Sequence, residues 1–122
     1  TRISQAFVVR ATNNQLIYSG KDAKASFSRT GSNISAFAPG ESVALLNFNG
    51  TSVTNNGTSF SAPYIAGIFA VACQAAGTLC NTATNATTLY DALRNTGVIG
   101  TVTNTNGTPL TGATSRFIVQ QW

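Results

Sequence analysis

Apolar residues gather in short clusters along the chain, separated by runs of Thr, Asn, Ser and Gly. The cluster at 6–9 (Ala-Phe-Val-Val) reads as a buried strand. Residues 13–29 are polar, with Gly20 and two lysines, and read as a loop with a short hairpin. Residues 34–37 form a second strand pattern, stopped by Pro39-Gly40, and Val43-Ala44-Leu45-Leu46 a third. Residues 47–56 are Asn-, Gly- and Thr-rich and predict a turn or loop. The spacing predicts helices over 61–76 and 87–94, then a loop over 101–114 and a closing strand at 117–119.

The helix at 61–76 dominates this pattern. Pro63 suits a first helical turn, where a missing N–H costs nothing, and Gly77 suits the exit. Its residues are apolar on nearly every side, so burial all round is expected. A chain of 122 residues has little material to enclose such a helix, so more protein is expected around it. The apolar run is interrupted by Gly67 and Gln74 and is shorter than the ~20 residues of a membrane span, so no span is expected. The helix at 87–94 is amphipathic, with Leu89, Tyr90 and Leu93 on one face.

Composition narrows the class. The chain is 43% hydrophobic, which suffices for a core, and 8% charged, which is low. The surface is therefore neutral and polar, as in secreted proteins. The net charge of +4 comes from scattered residues with no basic run, which argues against nucleic acid as a partner. Cys73 and Cys80 are either two small buried apolar residues or a disulfide closed by a chain reversal near Gly77. The disulfide is the expected state, and it agrees with an oxidising, extracytoplasmic compartment. No metal site is expected, since the chain has no His and two Cys.

The chemistry concentrates in Asn56-Gly57-Thr58-Ser59-Phe60-Ser61-Ala62-Pro63-Tyr64-Ile65-Ala66-Gly67. A serine at the head of a buried helix is exposed and lies in a positive potential, because the first turn carries free N–H groups. Those groups can stabilise an oxyanion forming on a substrate carbonyl. Gly57 lets the backbone approach a substrate, and Ala66 and Gly67 permit close helix packing. An isolated serine here would commonly be just a helix N-cap.

This stretch resembles the nucleophile signature of the subtilisin-like serine proteases, Gly-Thr-Ser-x-Ser/Ala-x-Pro-x-x-Ala-Gly. Ala25-Ser26-Phe27-Ser28 and Ala36-Phe37-Ala38-Pro39-Gly40 are similar to two further family motifs, in the family's order. The resemblance implies an α/β fold: the family's three-layer arrangement with a mainly parallel sheet and helices on both faces. The whole chain would be the C-terminal portion of one such peptidase domain. It implies Ser59 as nucleophile, with its own N–H as one oxyanion donor. Gly57, Thr58 and Asn56 would support the site, and Asn55 and Phe60 would touch the leaving-group side. Phe60 stands where many relatives carry methionine, which implies better resistance to oxidative inactivation. Calcium is common in the family, but no acidic cluster here supports a site; no cofactor is required for the reaction.

A serine hydroxyl needs a base to take its proton, and the chain contains no histidine. Its acids are Asp22, Glu41 and Asp91, none in a recognisable triad context. The family's order is Asp, His, Ser, so both partners, together with an oxyanion asparagine, are expected on a preceding chain of the same protease. The substrate would be a polypeptide. Two other readings compete: a pseudoprotease serving as a binding module, and an N-terminal-nucleophile hydrolase using Thr1. Finally, Asn33-Ile34-Ser35, Asn49-Gly50-Thr51, Asn85-Ala86-Thr87 and Asn106-Gly107-Thr108 match the glycosylation sequon. They matter only in a eukaryotic secretory route, and an Asn/Thr-rich chain produces such matches by chance.

Overall fold

In the computed structural model, residues 6–13, 22–77, 83–96 and 102–110 are described. The elements in chain order are β1 (Val9–Thr12), β2 (Asp22–Ala23), β3 (Ala36–Pro39), β4 (Val43–Leu46), β5 (Ser52–Asn55), α1 (Thr58–Ala76), α2 (Ala83–Thr96) and β6 (Val102–Thr103). β1 pairs with β3 in parallel, Val9 opposite Ala36 and Thr12 opposite Pro39. β2 pairs with β6, also in parallel, and β4 with β5 antiparallel. The fold is α/β with parallel strand pairs.

β3 explains the layering. Its side chains alternate, so Ala36 and Ala38 meet Ile65 and Ile68 of α1, while Phe37 meets Ile34 and Val102 on the opposite face. Both faces are therefore buried, which suits a parallel strand with an unbroken apolar run. The small alanines let α1 lie close to the strand pair. A second cluster joins three segments: Phe7, Phe69 of α1 and Tyr90 of α2 meet edge to face, with ring centroids 4.4–5.9 Å apart.

Several elements depart from the sequence pattern. The first strand is 9–12 rather than 6–9, because its hydrogen-bonding partner is the segment 36–39 and register is set by that pairing. The third strand falls on 43–46 as expected, but residues 52–55 form its partner rather than loop. Every residue of β5 is exposed, so no alternation marks it. The hairpin is made by its turn: Asn47 N–H donates to Thr51 O at 2.8 Å, Gly50 N–H to Asn47 O at 2.9 Å, and Gly50 takes φ 80°, which favours glycine. Two expected loops contain short strands, β2 and β6, which share their parallel bonds with each other. α2 is longer at both ends than its apolar stripe. The expected strand at 117–119 lies outside the described residues.

α1 brings two corrections. It begins at Thr58, three residues early, so Pro63 lies inside the helix and not in its first turn. With no N–H at 63, the Ser59 carbonyl loses its usual i+4 donor. Nor is α1 enclosed on all sides. Ser61, Ile65 and Ile68 form the buried stripe against β1 and β3, while Ala62, Ala66, Gly67 and Ala70 reach solvent. Tyr64 and Val71 are 47% and 37% exposed. An apolar composition all round predicts burial only where material exists to cover every face.

Candidate active site

The first turn of α1 presents Ser59 to solvent. Ser59 is not the N-cap: that position belongs to Gly57, and no side chain caps the helix. Phe60 N–H bonds back to Gly57 O at 3.1 Å. The N–H groups of Thr58 and Ser59 then have no acceptor within the helix, and the positive end of the peptide dipoles lies at the serine. A hydroxyl and an uncapped N–H of the same residue thus sit together at an exposed helix head. This arrangement suits attack on a carbonyl followed by stabilisation of the resulting oxyanion.

Backbone contacts fix that helix head. Gly57 N–H donates to Gly40 O at 2.8 Å. The Ser61 hydroxyl, fully buried, lies 3.2 Å from Ala38 O and 3.0 Å from Pro39 O. Gly40 lies so close that an added Cβ would overlap Ser61 Oγ and stand 2.6 Å from Ala11 Cβ and 2.9 Å from Gly57 O. Only glycine fits there. Ala11 in turn holds the third motif: Ala25 N–H donates to Ala11 O at 3.0 Å, and Ala11 N–H donates to Ser28 Oγ at 3.0 Å. Lys24 Nζ closes this turn on Ser28 O at 2.6 Å and Ala25 O at 3.2 Å. Three sequence motifs spread over some forty residues therefore converge on Ala11 and Gly40, directly beneath the helix bearing Ser59.

The other expected site residues are placed as follows. Thr58 and Phe60 flank Ser59 and are half-buried, and Gly57 is the N-cap. Asn56 is exposed, and its Oδ1 accepts from Ser42 N–H at 2.7 Å. Ser42 holds φ 55°, a conformation uncommon for a residue with a side chain, and Asn56 secures it. Asn55 ends β5, exposed, its Oδ1 accepting from Asn56 N–H at 2.8 Å. Sequence reasoning passed over Ala11, Gly40 and Ser61 as individual contributors. Gly40 and Ser61 were visible as motif letters; Ala11 carried no signal, since its role is purely one of proximity. Thr1 and Cys80 lie outside the described residues. Among the described residues no group of three or more His, Cys, Asp or Glu could hold a metal ion, and no helix is long and apolar enough to cross a membrane.

The Subtilase family model matches residues 2–115, and the chain belongs to that family. Among curated proteins it is similar to the subtilisin-like serine protease AsES of Sarocladium strictum, 47% identical over 49 residues, covering 40% of this chain and 13% of that protein. Among solved structures it is similar to a cold-adapted subtilisin-like serine proteinase, with TM-score 0.68, 26% identity and 96% of this chain covered. The chain spans 38% of the length of that structure.

Proposed function

We propose that this chain carries the nucleophile of a serine endopeptidase. Ser59 Oγ attacks the scissile carbonyl carbon while its proton passes to an imidazole. Ser59 N–H receives the developing oxyanion, the C–N bond breaks, the amine leaves with the imidazole proton, and water resolves the acyl-enzyme. Gly57, Thr58 and Asn56 shape the approach; Phe60 and Asn55 border the leaving group. The observation that carries this reading is the exposed hydroxyl of Ser59 beside its own uncapped N–H, on a helix head clamped at Gly40.

The imidazole, its orienting carboxylate and a second oxyanion donor come from polypeptide other than this chain, which has no histidine. The exposed apolar face of α1 around Tyr64, Gly67 and Val71 is where we place that polypeptide. Secretion and a Cys73–Cys80 disulfide belong to the same reading; the described residues contain no free cysteine.

Treating the full-length protein with a fluorophosphonate and mapping the adduct tests the proposal. Label on Ser59, lost in S59A, is the expected result. Failure to label an enzyme folded by calorimetry refutes it in favour of a non-catalytic binding module, and label on Thr1 refutes it in favour of an N-terminal nucleophile.

A further inference from the structure

Two loops far apart in the chain repeat one sequence, Asn-x-Asn-Gly-Thr, at 47–51 and 104–108. They also repeat one geometry. In the first, Asn47 N–H reaches Thr51 O at 2.8 Å and Gly50 N–H reaches Asn47 O at 2.9 Å. In the second, Asn104 N–H reaches Thr108 O at 2.8 Å and Gly107 N–H reaches Asn104 O at 2.9 Å. The glycines hold φ 80° and 83°. The Thr51 hydroxyl donates to Asn49 Oδ1 at 2.6 Å, and the Thr108 hydroxyl to Asn106 Oδ1 at 2.7 Å. The backbone N–H of each threonine donates to the same oxygen, at 3.0 and 3.1 Å.

We infer that Asn49 and Asn106 are acceptor sites for N-linked oligosaccharide. The sequon requires an asparagine amide and a hydroxyl two residues on. Here the two groups touch, both residues of each pair are exposed, and each pair sits at a loop tip where a bulky glycan meets no core. Each amide oxygen accepts two hydrogen bonds within its loop, while neither Nδ2 has a hydrogen-bond partner among the described residues. The other sequons differ. The Ser35 hydroxyl of the Asn33 sequon is 2% exposed and accepts from Val8 N–H at 3.1 Å, so in the folded chain it is sealed in the core. The Asn85 side chain lies outside the described residues.

In the transfer, Nδ2 attacks the anomeric carbon of an oligosaccharide carried on a lipid pyrophosphate. The C–N bond forms as the bond from that carbon to the pyrophosphate oxygen breaks. The lipid pyrophosphate leaves, and an amide proton passes to the transferase. Nothing is oxidised or reduced. At the hairpin tip the glycan lies beside Phe48 and Leu46, 97% and 80% exposed, and shields an apolar tip that the chain itself leaves bare.

The inference rests on the secretory reading and is independent of Ser59. The full-length protein, secreted from yeast behind a host signal sequence, is digested with peptide N-glycosidase in heavy-oxygen water. Expected are heavy-oxygen aspartate at 49 and 106 and a gain in gel mobility. N49Q and N106Q each remove one step of that gain, and T51A and T108A do the same with the asparagines retained. Unmodified Asn49 and Asn106 in secreted wild-type protein overturn the inference. So does a T51A/T108A variant that keeps both glycans. Because the host signal supplies entry, either result counts against the acceptor sites and not against the route.

Discussion

Replacing Gly40 by alanine places one methyl group where the structure has no room. The added carbon would overlap Ser61 Oγ, stand 2.6 Å from Ala11 Cβ and 2.9 Å from the Gly57 carbonyl oxygen. Ordinary carbon contacts need about 3.5 Å or more, so the neighbours must part by roughly 1 Å. Ala11 is held by backbone bonds to β3 and by Ser28, so it yields little. The helix head is the freer side. Overpacking of this kind costs about 1–3 kcal/mol, and two of the three contacts are to rigid atoms, which favours the upper end. Loss of the Ser61 bonds to Ala38 O and Pro39 O adds about 1 kcal/mol. A displacement near 1 Å at Gly57 reaches Ser59 two residues later, and misplacement on that scale lowers reactivity about 100-fold. Denaturant melts and the second-order rate of fluorophosphonate labelling measure the two effects. Adding S61A removes only the worst overlap, so G40A/S61A recovers part of the loss, with a coupling of about 0.5–2 kcal/mol. The reasoning fails if G40A melts within about 0.5 kcal/mol of wild type and labels within twofold. It fails also if S61A restores G40A completely, since the Ala11 and Gly57 contacts would then carry no cost.

Two further outcomes probe the surroundings of the site. A methyl at Gly67 meets nothing within 4 Å in this chain, so on a free helix surface G67A stabilises by about 1 kcal/mol. If other polypeptide covers α1, G67A destabilises the assembled enzyme instead; destabilisation is expected, and a higher melting temperature speaks against the covering. The double variant C73S/C80S removes a short loop closure worth roughly 2–3 kcal/mol; two thiols titrating in the unreduced, denatured wild-type protein would show that no such bond exists.

The sequence by itself determined the family. The stretch 56–67 is long, local and chemically specific, and local order is what a one-dimensional pattern reports well. The strand at 43–46 and the presence of both helices followed from local signals too: a contiguous apolar run of strand length, a long apolar run closed by Gly77, and a one-faced stripe at Leu89, Tyr90 and Leu93. Helix starts did not, because Gly57 and Thr58 carry no apolar signal, and β5 did not, because an exposed strand has no face to bury. Pro63 was misplaced within its helix through that same error of start.

Tertiary structure alone decided how the motifs work together. That Gly40 admits no side chain follows from Ala11 and Ser61, which lie 29 positions before it and 21 after it; contact between such distant positions is a property of packing. That α1 shows an apolar face to solvent is also a tertiary fact. Periodicity tells which faces of a helix tolerate burial, while the neighbours actually present decide which faces are buried.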